Sequence, residues 1–281
     1  MVKKKKIISF QGAYGAYSDL VCRKFFKDYE TLPCKSFEDT LGSIQKEKAH
    51  LALIPVENSI AGRVSGMHFL LRDIKLKIIH EFYHKIEHNL LAKQKTNLSE
   101  IKEVYSHEQA LAQCKNNLKM LKIKPRKYID TAGAAKYVSL SKKKNIGAIA
   151  SALASKIYNL KIIKKNIEDE EFNITRFLVF AKDYMQIKTK RNVRTTIVFE
   201  TKNIPASLYN ALGGFAKRRI NLSRLESFVV DSDFKKSSFL ADVECHPEKK
   251  EFKDSLTELK RYSNSVRIIG YYKAKDPNSN K

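Results

Sequence analysis

Short apolar runs alternate with helically spaced apolar positions through about the first 180 residues, a rhythm that predicts α/β architecture with largely parallel strands. Lys6–Phe10 reads as a strand, and the helix after it carries Ala16, Leu20, Val21 and Phe25 on one face. Leu51–Val56 is a second strand, leading into a helix through Val64, Met67, Leu70 and Leu71. Glu103–Tyr105 precedes a helix that turns Ala110, Leu111, Cys114, Leu118 and Leu121 inward. Lys127–Ile129 precedes Ala134–Leu140, Ile146–Ala150 precedes Ala152–Tyr158, and Thr175–Phe180 is a late strand. The charged stretch Lys182–Arg194 is poorly patterned and reads as a linker.

Beyond the linker the order changes. Thr195–Glu200 alternates like a strand, and Pro205–Arg218 like a helix opened by proline near its first turn. Leu222–Val230, Ser237–Cys245, Glu248–Tyr262 and Ser265–Tyr271 follow as strand, strand, helix, strand. That βαββαβ order, in about 80 residues, is the ferredoxin-like plan. The tail Lys275–Lys281 is expected to be disordered.

With 281 residues the chain can hold two compact domains, and 43% hydrophobic with 30% charged residues fits a soluble globular protein. The net charge of +24 raises the question of nucleic acid. Its cations are spread through every segment, however, and no nucleic-acid motif accompanies them, so a nucleic-acid partner is not expected. The excess charge steers anionic substrates instead. Cys22, Cys34, Cys114 and Cys245 show neither CxxC nor metal-ligand spacing. The apolar residues after the basic N-terminus are too few for a signal peptide, and no run approaches the roughly 20 apolar residues of a membrane span, so a cytoplasmic protein is expected.

Chemistry concentrates at strand-to-helix corners, where parallel α/β sheets bind ligands. Gln11–Gly12–Ala13–Tyr14–Gly15–Ala16–Tyr17–Ser18 has two glycines and a candidate cap in Ser18, but lacks the third glycine of a dinucleotide loop. Pro55–Val56–Glu57–Asn58–Ser59 ends its strand with a carboxylate, an amide and a hydroxyl in succession. Ser106–His107–Glu108–Gln109 has the Ser-x-x-Gln spacing of a capping box, which leaves His107 unexplained. Asp130–Thr131–Ala132–Gly133 offers a capped helix start lined by small residues. Asn173–Ile174–Thr175–Arg176–Phe177 places a hydroxyl and a guanidinium together at the mouth of a buried strand. Together these corners predict an anion-binding cleft that works without cofactor or metal. His80, His84 and His88 recur every fourth residue, but strand-like Leu76–Ile79 runs straight into them, which argues against a metal site.

These segments closely resemble those of bacterial monofunctional prephenate dehydratases with a C-terminal ACT domain, over about residues 6 to 272 in one order. His88–Asn89–Leu90–Leu91, the continuation Ala110–Leu111–Ala112–Gln113–Cys114, Ala148–Ile149–Ala150–Ser151 and Ile167–Glu168–Asp169 belong to the same resemblance. It implies a catalytic domain over 1–183, built as two lobes (1–80 with 168–183, and 81–167) like a type II periplasmic binding protein. A linker over 184–193 and a ferredoxin-like ACT domain over 194–274 would follow. The implied reaction converts prephenate, a dianion, to phenylpyruvate with loss of water and carbon dioxide, in phenylalanine biosynthesis. Thr175 would donate to the leaving oxygen, Arg176 would bind the side-chain carboxylate, and Phe177 would wall the ring. Glu57, Asn58, Ser59, His107, Gln109, Thr131 and Asn173 would bind substrate.

The resemblance also implies a homodimer or homotetramer and an allosteric L-phenylalanine site formed by Ala206, Ser207, Leu208, Asn221, Leu222, Glu226 and Ser227. Here the chain departs from the family. Ala206 stands where glycine is usual, and Phe228 where arginine is usual, so weak or lost phenylalanine inhibition is expected. Glu108 replaces a usual proline, and Ile60–Ala61–Gly62 a more polar stretch. Arogenate dehydration and a non-catalytic amino-acid sensor are the alternative readings.

Overall fold

The computed structural model describes residues 5–187, 189–229 and 237–277. In chain order the elements begin β1 (Lys6–Gln11), α1 (Tyr17–Phe25), β2 (Tyr29–Cys34), α2 (Phe37–Gln45), β3 (Leu51–Asn58), β4 (Gly62–Arg63), α3 (Met67–Asp73) and β5 (Lys77–Lys85). They continue with β6 (Asn89–Ala92), β7 (Glu103–Ser106), α4 (Glu108–Gln113), α5 (Lys115–Met120), β8 (Lys124–Lys127), α6 (Thr131–Leu140), β9 (Ile146–Ala150), α7 (Ala152–Ile157) and β10 (Lys161–Lys164). The last are β11 (Ile174–Ala181), β12 (Val193–Thr201), α8 (Ser207–Lys217), β13 (Leu222–Val229), β14 (Ser237–Val243), α9 (Lys250–Arg261) and β15 (Ser263–Lys273). Two compact units result: one runs through Val64 and resumes over Tyr83–Phe177, and the other comprises Ser65–Phe82 and the chain from Leu178.

In the first unit, β1 lies between β2 and β3 in parallel register, with Ile8 opposite Thr31 on one side and Leu51 on the other. β11 lies on the far side of β3. Leu51, Ala52, Leu53, Ile54 and Val56 of β3 are all buried, which is why that strand reads as a continuous apolar run rather than an alternation. A second sheet has the order β10-β6-β9-β7-β8, with β7 parallel to both neighbours and β6 antiparallel to β9 and β10. Leu90, Val104, Leu111, Cys114 and Ile149 form a core on one face of it, and Leu91, Ala135, Val138 and Ala148 on the other. Helix starts are set by short polar side chains: Ser36 accepts from Asp39 N–H, Asp130 from Gly133 N–H and Ser151 from Ala154 N–H.

Several local expectations are corrected. β2 carries no strong apolar pattern and escapes a periodicity reading, being a half-buried edge strand with Glu30 and Pro33 in it, and α2, with Phe37, Leu41 and Ile44 at helical spacing, is a helix between β2 and β3 beyond those expected. The helix expected through Ala110–Leu121 is two helices broken at Cys114, because the Asp169 carboxylate accepts from Asn116 N–H at 2.9 Å and Asn117 N–H at 3.0 Å and so starts a second helix there. Ser18 lies inside α1 and does not cap it; Asp19 does related work by accepting from Gly15 N–H at 2.8 Å. No capping box forms at Ser106, whose hydroxyl donates to the Ile149 carbonyl, and His107 is the N-cap of α4. His80 and His84 lie on strand β5, so their fourfold spacing is not a helical face. The tail expected to be disordered lies outside the described residues from position 278 on.

In the second unit the strand order is β13-β14-β12-β15-β5. The segment β12-α8-β13-β14-α9-β15 is a βαββαβ unit whose four strands are paired antiparallel, as the ferredoxin-like plan requires. Its core joins Ile197, Phe199, Phe239 and Ala241 of the sheet to Phe215, Phe252 and Leu259 of the helices, with Phe199 stacked on Phe239 at 5.2 Å. Helix α8 begins at Ser207, two residues after Pro205. β15 meets β5 in parallel at Gly270, opposite Ile78, and a Cβ on Gly270 would lie 2.4 Å from the Ile78 Cβ. Glu81 is buried and accepts both oxygens' worth of contact from the Arg194 guanidinium at 2.6 Å, together with Lys275 N–H at 2.8 Å. Among the described residues no helix is long and apolar enough to cross a membrane.

Candidate active site

Two polar corners of the first unit meet where β3 ends and β11 begins. Asn58, the last residue of β3, projects its amide across to β11. Its Nδ2 donates to Asn173 Oδ1 at 2.7 Å and to Thr175 Oγ1 at 2.9 Å, while its Oδ1 accepts from Ile60 N–H at 3.1 Å and Ala61 N–H at 2.8 Å. The turn after β3 therefore fixes which way this amide faces. Ser59 fastens the same corner, donating to the Phe172 carbonyl at 2.7 Å and accepting from Ile174 N–H at 2.9 Å. Its backbone N–H also reaches the Ile174 carbonyl.

Thr175 is 7% exposed and Arg176 5%, so β11 carries a hydroxyl and a guanidinium into a nearly dry setting. Arg176 Nη1 lies 4.0 Å from Glu57 Oε2, whose side chain is about half exposed. Phe177 is fully buried in the same strand. A hydroxyl that accepts from a fixed amide keeps one proton to give. The arrangement can thus donate a hydrogen bond and, from the guanidinium, hold a carboxylate.

The network continues from Asn173 through residues that sequence reasoning did not select. Asn173 Nδ2 donates to Gln113 Oε1 at 3.0 Å, and His88 Nε2 lies 2.8 Å from that same oxygen. Tyr17 Oη is 2.8 Å from His88 Nδ1 and 2.9 Å from the Glu87 carbonyl. Burial pushes the His88 imidazole below the usual histidine range, against an opposing pull from its bond to Gln113. Burial likewise pushes the Tyr17 phenol well up, so both groups are neutral near pH 7. Glu168 accepts from His88 N–H at 2.8 Å, and burial raises its carboxyl above the usual range. The only sequence signal for Tyr17, His88 and Gln113 is their place within the motif segments, since nothing in their spacing marks them as polar partners.

The remaining candidates have different settings. His107 and Gln109 are exposed at the start of α4, with His107 Nδ1 accepting from Gln109 N–H. Thr131, half buried, opens α6 behind its Asp130 cap. Glu108, exposed in the first turn of α4, pairs with Lys127 at 2.5 Å, which lowers its pKa and offsets its charge. The glycine-rich turn is secured by Ser151, which donates to the Gly15 carbonyl at 2.6 Å. Gly15 itself has φ of +90°, and a Cβ there would lie 2.9 Å from Ala154 Cα, so only glycine fits.

The residues considered for a regulatory ligand lie in the second unit. Ala206 has φ of +60°, a left-handed conformation that glycine adopts more readily. Ser207 is buried, and Leu208 and Leu222 pack on the core. Asn221 donates to Glu244 at 3.0 Å, and Glu226 pairs with Arg224 at 2.7 Å. Ser227 is exposed, while Phe228 is buried.

Comparison with known proteins shows the family. The family model described as prephenate dehydratase matches residues 8–185. Among curated proteins, the bifunctional N-acyl-homoserine lactone acylase/prephenate dehydratase of Komagataeibacter europaeus is 38% identical over 96% of this chain and 96% of its own. Arogenate dehydratase/prephenate dehydratase 1, chloroplastic, of Arabidopsis thaliana is 38% identical over 94% of this chain and 71% of its own. Among solved structures, prephenate dehydratase from Arthrobacter aurescens in complex with L-Phe has a TM-score of 0.87 at 25% identity, covering 96% of this chain and 90% of that one. With the Asn58–Asn173–Thr175 corner beside a buried Arg176, and matches of this extent, the chain belongs to the prephenate dehydratase family of lyases.

Proposed function

We propose that this dehydratase acts on prephenate, in phenylalanine biosynthesis, at the corner of β3 and β11. The observation that carries the reading is Thr175, held by the Asn58 amide at 2.9 Å beside the buried Arg176. Arg176 binds the substrate's side-chain carboxylate. Thr175 donates to the ring hydroxyl as it departs, stabilising developing negative charge on oxygen. A threonine hydroxyl is a very weak acid, so it donates a hydrogen bond or relays a proton rather than ionising. Aromatisation drives loss of carbon dioxide, and the apolar surroundings of Phe177 favour departure of a poorly solvated ring carboxylate. Glu57, His107, Gln109 and Thr131 complete the substrate contacts, while Asn58, Ser59 and Asn173 serve the corner itself. No cofactor enters this mechanism.

The catalytic domain in this reading is 1–183, with lobes of the type II periplasmic-binding-protein kind, followed by a linker over 184–193 and an ACT domain over 194–274. The antiparallel βαββαβ order supports the ACT assignment. The Arthrobacter protein was solved with L-Phe, which supports phenylalanine as a ligand of this chain, and its place on the C-terminal domain is part of the proposal. The methyl of Ala206 and the buried Phe228 favour a weakened response. A homodimer or homotetramer in the cytoplasm completes the proposal.

Arogenate differs from prephenate by an amino group in place of the side-chain keto group. The Arabidopsis relative carries both activities in its name, so this second substrate is tested directly. Purified protein is given prephenate and arogenate separately, and phenylpyruvate and phenylalanine are measured. Faster turnover of prephenate is expected; faster turnover of arogenate reassigns the substrate, and no turnover of either supports the sensor reading.

A further inference from the structure

The hydrogen bonds behind Thr175 can run in only one direction. Gln113 Oε1 is an acceptor alone, and it faces His88 Nε2 at 2.8 Å and Asn173 Nδ2 at 3.0 Å, so both neighbours must give it protons. Asn173 then turns its oxygen to Asn58 Nδ2 at 2.7 Å. Asn58 cannot flip, because its own oxygen is held by the backbone N–H groups of Ile60 and Ala61, which cannot reverse. Reversing any one amide between Asn58 and His88 sets donor against donor or acceptor against acceptor in a buried place, where water cannot take up the unmatched groups. The chain is therefore locked by the turn after β3 at one end and by the His88 ring at the other.

We propose that His88 is a positioning residue for the reaction: by donating from Nε2 to Gln113 it keeps Gln113 and Asn173 turned to match Asn58, whose direction the turn after β3 sets, and so keeps the Asn58 amide seated where its Nδ2 meets Thr175 and leaves the Thr175 proton for the departing oxygen. This rests on Thr175 acting as the donor. The ring is held for that task on every side. Tyr17 Oη sits 2.8 Å from Nδ1 and donates to the Glu87 carbonyl at 2.9 Å, while the Gln113 oxygen, an acceptor alone at 2.8 Å, places the ring's proton on Nε2. The Tyr17 ring stands edge-on to the imidazole at 5.5 Å, and the His88 backbone is fixed by Glu168 at its N–H and by Ile167 at its carbonyl. A His88 ring with its proton on Nδ1 would turn a lone pair towards Gln113 Oε1. Gln113 would then flip, presenting its amino group to that of Asn173.

Two substitutions separate positioning from packing. His88→Phe keeps an aromatic ring against Tyr17 and removes the donor. His88→Gln places an amide donor near the former Nε2. Turnover of prephenate by the unaltered enzyme is measured first, and its absence refutes the proposed function rather than this inference. Given turnover, kcat should fall about 10- to 100-fold in His88→Phe with KM within about twofold, and His88→Gln should recover most of it. Unchanged kcat in His88→Phe, or equal loss in both variants, overturns the proposal. Should either variant fail to fold, ¹⁵N-histidine spectra of the unaltered protein still decide the point. Protonated Nε2 on His88 supports the lock, and unprotonated Nε2 overturns it.

Discussion

Changing Asn58 separates its two faces and so tests the corner in detail. Asn58→Ala removes the donor to Asn173 Oδ1 and Thr175 Oγ1 and the acceptor for Ile60 N–H and Ala61 N–H. The two turn amides belong to exposed residues, so water replaces much of that loss. Asn173 is fully buried, and its orphaned oxygen costs about 1–3 kcal/mol. The loose Thr175 hydroxyl adds up to about 1 kcal/mol, giving a stability loss of about 1–4 kcal/mol out of a typical 5–15. Asn58→Asp keeps the acceptor for the turn but faces a carboxylate against Thr175 Oγ1, which would then donate to the carboxylate and lose its availability to substrate. Both variants should lose kcat by about 10²-fold. The aspartate should also raise KM by repelling the dianion, and its carboxylate, set against Asn173 Oδ1 where the amide donated, should lower its urea midpoint at least as far as the alanine variant's. Steady-state kinetics and urea unfolding of the two read these effects. An Asn58→Asp enzyme with parental kcat would refute the reasoning, because its carboxylate cannot supply the donor that holds Thr175 in this geometry.

Two further predictions concern the second unit. Gly270→Ala forces a Cβ to within 2.4 Å of the Ile78 Cβ and 2.5 Å of the Ile78 carbonyl, so it should cost about 2 kcal/mol or more; a thermal midpoint equal to the parent's would show that β15 and β5 do not meet there. Ala206→Gly relieves a left-handed alanine and should stabilise by up to about 1 kcal/mol, and calorimetry should show tighter L-phenylalanine binding; a destabilised variant with unchanged binding would count against both effects.

How much of this was legible in the sequence follows from where each signal resides. β1, β3, β9 and β11 are buried on both faces, so their apolar runs stand out without any knowledge of their neighbours. β2, an edge strand with Glu30 and Pro33, shows no such run. The break at Cys114 is invisible locally because its cause, Asp169, lies far along the chain. The hydroxyl of Ser106 looked like a helix cap by spacing, but β9 offered the Ile149 carbonyl instead. At the site, Asn58, Asn173 and Thr175 were readable as polar residues at strand ends and through their resemblance to a family. Tyr17, His88 and Gln113 were not, because a tyrosine, a histidine and a glutamine acquire their role only from one another's positions in space.

The central claim is that Thr175 supplies the hydrogen bond to the leaving oxygen while Arg176 binds the carboxylate. Thr175→Val keeps the β-branched shape and removes only the hydroxyl, so the most direct measurement is its prephenate turnover beside that of the parent and of Arg176→Lys. The account predicts that Thr175→Val lowers kcat by about 10² or more with KM little changed. Arg176→Lys should chiefly raise KM, because a point charge replaces a planar fork. A Thr175→Val enzyme that turns over prephenate at the parental rate would contradict the account.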